Sequence, residues 1–161
     1  SKPLIAAVNG PAIGVGLTML LHCDLVYAAK SATFNAPFVK LGLVPEASSS
    51  LLLPATVGMA IANDILLAGR TLDAEEALKF GLIARIFSDD MLLASVQEIA
   101  LGVANSAPTA VRLSKSLIRN DQQRVSAQML IEGKLFTQQL QSPDFMESVA
   151  AMMQKRPAVY D

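Results

Sequence analysis

Cysteine is almost missing from this sequence, and that excludes two classes of architecture. Cys23 is the only one, so it has no partner for an internal disulfide and no companions for a metal-ligand cluster. It lies in an apolar run and reads as a buried, inert thiol. Histidine is as scarce: His22 stands alone, with no Ser/Asp constellation to make a triad, and reads as structural. Charge is sparse too. Charged residues make up 17% of the chain and the formal net charge is −1. Without a basic stripe no nucleic-acid surface is expected, although local groups can still hold an anionic ligand. Long apolar runs are also missing. The run 17–21 ends at His22, Cys23 and Asp24, well short of the ~18 residues of a membrane span, so no membrane partner is expected. Ser1-Lys2-Pro3 carries no signal-peptide pattern.

What is present is a well-supplied core. Apolar residues make up 52% of 161, enough for one domain that buries a real interior. Residues 4–8 read as a short buried strand that begins almost at once, closed by the breakers Asn9-Gly10-Pro11. Residues 12–23 read as a turn entering a helix, 24–28 and 32–35 as strands, and 37–41 as loop or edge. Residues 45–50 form a loop running into a helix, with Ser48 or Ser49 as its cap. Further helices are expected over 59–68 and 73–80, the latter rich in acids at its start, and a small strand over 82–87. Residues 89–105, 108–120, 124–141 and 144–155 read as helices. Strands first and helices later suggest an α/β or α+β layer arrangement.

Chemistry concentrates between positions 9 and 50. In Asn9-Gly10-Pro11-Ala12-Ile13-Gly14-Val15-Gly16-Leu17-Thr18, a strand ends, the backbone turns and a helix begins. Glycines allow close approach of a ligand to the main chain. The helix start leaves unpaired N–H groups that can hold a phosphate or a developing oxyanion. The plainer alternative is a simple turn. A dinucleotide fingerprint would need a third glycine where Met19 stands. Glu46 can be read as an acid favoured near the first turn of the following helix. Ser48, Ser49 and Ser50 read as capping and close-packing residues, Asp24 as a maker of turn or backbone hydrogen bonds, and Lys155 and Arg156 as solvated surface charge.

Read through, the runs 9–14, His22-Cys23-Asp24-Leu25-Val26-Tyr27-Ala28, Ala32-Thr33-Phe34 and Leu41-Gly42-Leu43-Val44-Pro45 resemble, in order and spacing, the crotonase (enoyl-CoA hydratase/isomerase) family. Leu67-Ala68-Gly69-Arg70, Ala74-Glu75-Glu76-Ala77 and Gly81-Leu82 extend the likeness to about position 87. The resemblance implies an α/β fold, a ββα superhelix over 1–87, followed by a helical trimerisation region over 88–161. It implies an acyl-CoA thioester as substrate, coenzyme A being part of that substrate and no separate cofactor or metal being needed. It implies a homotrimer or hexamer. The Val15 N–H would be one oxyanion donor, beside Gly14. The second donor would come from a segment preceding Leu4, so the chain is expected to begin partway through the fold. Hydratases of the family use two glutamates. Thr18 and Phe38 stand at those positions here, and neither is a carboxylate. Glu46, in Pro45-Glu46-Ala47-Ser48, stands where several isomerases carry an acid. The likeness is closest to the peroxisomal-type Δ3,Δ2-enoyl-CoA isomerases and their bacterial relatives. Glu46 would then shuttle a proton in a pocket walled by Phe38, Leu41 and Leu43 that excludes water. The rivals are hydration or other chemistry of the family, and a non-catalytic CoA-binding or assembly module. The chain ends Val159-Tyr160-Asp161, without a peroxisomal tripeptide, so a cytoplasmic setting is expected.

Overall fold

The apolar run after Pro3 becomes strand β1 (Ile5–Val8). In the computed structural model, which describes residues 2–160, β1 pairs in parallel with β3 (Leu25–Ala29), and β3 pairs in parallel with β6 (Arg85–Phe87). Ser1 and Asp161, and with them the readings that rest on the two ends of the chain, lie outside the described residues.

The breakers Asn9-Gly10 do not open a plain turn into a helix. They carry the chain into a second sheet, through β2 (Pro11–Ile13), which pairs in parallel with β4 (Thr33–Asn35). A proline at the first position of a strand costs little there, because no ladder hydrogen bond depends on its missing N–H. β5 (Leu72–Asp73) runs antiparallel on the other side of β4. Helix α1 (Val15–Thr18) and a 3-10 turn over Met19–His22 close the first strand–strand–helix unit. β3, β4, a 3-10 turn over Val39–Leu41 and helix α2 (Ser49–Val57) make the second. Strands of one unit pair with their counterparts in the next, which is the superhelical winding of a ββα fold.

β3 shows why its sequence reads as one unbroken apolar run. Val26 and Ala28 face the main core, with Leu17, Phe34, Leu53, Ile65 and Leu72. Tyr27 and Ala29 face a second cluster with Leu92 and Val96. Alternate residues point to opposite faces, and here both faces are covered. Helix α3 (Met59–Leu66) supplies Ile65 to the main core, and α4 (Ala74–Lys79) follows β5. Asp73 caps α4 in a capping box with Glu76, so the residue expected to begin that helix is its cap. Helix α5 (Leu92–Ala104) covers the outer face of the first sheet, where Tyr27 meets Phe87 edge-on at 6.0 Å. The helices α6 (Pro108–Ile118), α7 (Gln122–Gln139) and α8 (Pro143–Met153) complete the chain. Among the described residues no helix is long and apolar enough to cross a membrane.

Asp24 ties these layers together. Its carboxylate accepts from the Leu4 N–H at 2.6 Å and the Lys115 Nζ at 2.7 Å, and lies 3.6 Å from the Arg119 Nε. Burial alone would raise its pKa. The Lys115 and Leu4 hydrogen bonds and the charges of Lys115 and Arg119 outweigh that, and hold it below the ordinary carboxylate value. The stability this adds is therefore complete above about pH 4, the unfolded carboxylate range, and is lost as pH falls through the lower folded value. Asp24→Asn is expected to cost about 1–3 kcal/mol at neutral pH and to flatten the acid limb of thermal stability. Melting curves between neutral and strongly acid pH, run side by side, check it.

Candidate active site

Glu46 sits in the loop between the Val39–Leu41 turn and α2, and three other elements hold that loop in place. Thr18, fully buried in α1, donates its hydroxyl to Glu46 Oε1 at 2.5 Å. His22 Nε2 donates to the Ala47 carbonyl at 2.7 Å; a carbonyl only accepts, so this nitrogen carries the proton. From α7, Glu132 accepts the Ser48 N–H at 2.5 Å and the Ser50 N–H at 3.0 Å. The loop needs this hold. Ala47 and Ser48 have φ of 55° and 59°, a left-handed conformation that costs a non-glycine residue about 1–3 kcal/mol.

Beside the loop opens a cleft of about 490 Å³. Val15, Phe38, Glu46 and Ala47 line one wall; Met129, Gly133, Phe136 and Thr137 of α7 line the other. Phe38 and Phe136, both in its lining, meet edge-on with centroids 6.5 Å apart. Val15 is the first residue of α1, so its N–H has no acceptor within that helix. Gly14 precedes it at φ 57°, the conformation that turns the chain there. The structure thus brings Val15, Phe38 and Glu46 to one cleft. Leu41 and Leu43, expected as walls, do not line it. The N–H groups of both turn back to the Phe38 carbonyl, at 2.9 and 2.8 Å, which directs Leu43 into the main core and packs Leu41 against it.

Two of these parts are invisible in the local sequence. Ser48 precedes α2 as expected, but its side chain does not cap the helix. The hydroxyls of Ser48 and Ser49 are buried without partners among the described residues. The cap is the Glu132 carboxylate, 84 residues further on. Its signal is faint but physical: the buried stripe of α7 runs Val125, Gln128, Glu132, Phe136, and a carboxylate on such a stripe requires polar partners. Thr18 has no acid of its own but orients one.

Elsewhere the chemistry is muted. A polar cleft is lined by His22, Arg112, Lys115 and Arg119, none of which lines the cleft beside Glu46. Its Lys115 is already bound to Asp24, and its Arg119 to the carbonyls of Leu21 and Cys23. Burial, with Asp24 adding and Arg119 and Lys115 opposing, pushes the Cys23 thiol up, as fits an inert residue. Arg156 pairs with Glu147 on the surface.

The family described as "Enoyl-CoA hydratase/isomerase" matches residues 1–161. The chain belongs to this family, the crotonase superfamily. A carnitinyl-CoA dehydratase of Citrobacter koseri is 37% identical over 169 residues, covering 99% of this chain and 63% of that protein. A 2,3-dehydroadipyl-CoA hydratase of Escherichia coli is 35% identical over 157 residues, covering 97% and 62%. The chain therefore spans less than two thirds of the length of these relatives. Among solved structures, an enoyl-CoA hydratase/isomerase from Pseudoalteromonas atlantica superposes with a TM-score of 0.98 at 59% identity, over 99% of this chain and 64% of that one. A carnitinyl-CoA hydratase from Mycobacterium avium does so with 0.87 at 31%, over 99% and 63%. The fold is the crotonase-type α/β fold, with its ββα superhelix followed by helices.

Proposed function

We propose that the protein binds an enoyl-CoA and moves its double bond from C3 to C2, with Glu46 as the single proton shuttle. The observation that carries this reading is the cleft itself: among the described residues Glu46 is the one carboxylate lining it, with Phe38 also in its lining and Thr18 bonded to it. Glu46 takes a proton from C2, next to the thioester. The electron pair spreads through the former C3–C4 double bond as a dienolate, and the same carboxylic acid returns the proton at C4. The Val15 N–H stabilises the thioester oxygen as charge develops on it. Atoms balance without water or any external oxidant, and coenzyme A enters only as part of the substrate.

The names of several relatives, carnitinyl-CoA dehydratase and 2,3-dehydroadipyl-CoA hydratase, favour a second reading, addition or removal of water. Water addition is served best by a pair of groups that place and activate the water. Thr18 and Phe38 cannot act as that pair. The intact protein, given a 3-enoyl-CoA and a 2-enoyl-CoA in separate incubations, is expected to form the conjugated 2-enoyl thioester from the first. Hydration of the second without double-bond migration would reject the isomerase. The homotrimer or hexamer belongs to the same proposal. Exposed Leu113, Leu117 and Ile118 on α6, with Leu130 and Ile131 on α7, support covering by further copies.

A further inference from the structure

Glu132 is a glutamate only 4% exposed, and no Lys, Arg or His pairs with it among the described residues. A carboxylate in that position is tolerated only when hydrogen bonds replace its lost hydration. All of those bonds go to one place. Oε2 accepts the Ser48 N–H at 2.5 Å, and Oε1 accepts the Ser50 N–H at 3.0 Å and the Ser50 hydroxyl at 2.5 Å. Gln128, one turn earlier on α7, donates to that same hydroxyl at 2.8 Å. The carboxylate thus does more than cap α2. It grips the residue at the end of the Ala47–Ser48 bend, whose two successive left-handed non-glycine residues would relax if released. Glu46 is the residue immediately before that bend.

We propose that Glu132 is a positioning residue for Glu46: by holding the left-handed bend closed, it fixes the direction from which the proton shuttle meets C2 and C4. This rests on the reading of Glu46 as the shuttle. The other two tethers do not duplicate it. Thr18 holds a carboxylate oxygen of Glu46 and His22 holds the Ala47 carbonyl, but neither engages an amide of the bend. Glu132 also lies on the same helix as Met129 and Gly133, which line the opposite wall of the cleft. The far wall of the cleft and the tether of the loop that carries the base therefore sit on one helix.

Glu132→Gln in the intact protein is the direct test. Glutamine keeps the size and one acceptor, but puts an NH₂ where the second oxygen received an N–H. Misplacement of a reacting group by about 1 Å costs on the order of 10²-fold in rate, so kcat for a 3-enoyl-CoA is expected to fall about that far, with KM little changed. A second readout separates aim from folding. In D₂O, exchange of the C2 proton competes with delivery of the same proton to C4. A mere loss of folded protein lowers both by one factor, whereas a misdirected base raises the exchange-to-isomerisation ratio. Ser50→Ala, which removes one of the three bonds and keeps both amides, is expected to shift that ratio the same way by a smaller amount, and decides the matter if Glu132→Gln does not fold. An unchanged ratio in the folded variant overturns the positioning role. Glu46→Gln, run alongside, keeps the two ideas apart. If it retains turnover, the shuttle reading fails. If it loses turnover while the Glu132 and Ser50 variants match the parent in both kcat and ratio, only the positioning role fails.

Discussion

Glu46→Gln is expected to lower kcat for a 3-enoyl-CoA by about 10²–10⁴-fold, with the melting temperature nearly unchanged. Glutamine keeps the shape and the Oε1 acceptor, so Thr18 can still donate to it and the loop keeps its three tethers. On the proposed reading, what is lost is the ability to take a proton from C2. KM is expected to change little, because the substitution leaves the apolar walls of the cleft, Phe38 and Phe136 among them, as they are. The measurement is the rate at which the conjugated thioester forms. Turnover within a few-fold of the parent would remove Glu46 from the chemistry and favour a reading in which the cleft only binds.

Gly42→Ala is expected to be the most damaging single methyl group in the first half of the chain. Gly42 has φ +65°, and a Cβ built there meets the Asp144 carbonyl carbon and the Phe145 nitrogen at 2.7 Å and the Asp144 oxygen at 2.9 Å. All three are backbone atoms in the first turn of α8, so no side chain can rotate away. Left-handed strain of about 1–2 kcal/mol adds to overpacking of about 1–3 kcal/mol. For a chain of this size each kcal/mol lowers the melting temperature by roughly 2–4 °C, so a fall of roughly 5–15 °C is expected. Gly81→Ala is the control. It shares a positive φ, +80°, but its Cβ meets only the Thr56 carbonyl oxygen at 3.7 Å, an ordinary contact. It should show only the smaller, conformational part, and equal destabilisation of the two would mean that contact with α8 is not what Gly42 protects.

Much of the candidate site was legible because its signals are local. The glycines that open α1, the strand at Leu25–Ala29 and the acid at Glu46 each announce themselves within a few neighbours. β2 was hidden behind Asn9-Gly10, since three residues, the first a proline, carry no alternation to read. β5, two residues long, was hidden for the same reason. Thr18 was legible as the absence of a hydratase acid, but not as the hydroxyl that holds the acid present.

Taken alone, the sequence determined the family, the order of most elements and the residues around which chemistry is possible, because these depend on spacing along the chain and on side chains within a turn or two. The tertiary structure decided which of those residues meet. It turned Leu41 and Leu43 away from the cleft and brought α7 across to form its far wall. It also set the Glu132 carboxylate, rather than a neighbouring serine, on the amides before and within the first turn of α2. A carboxylate buried without a counter-charge is tolerable only where the folded chain delivers donors to it, and those donors come from 82 and 84 residues away.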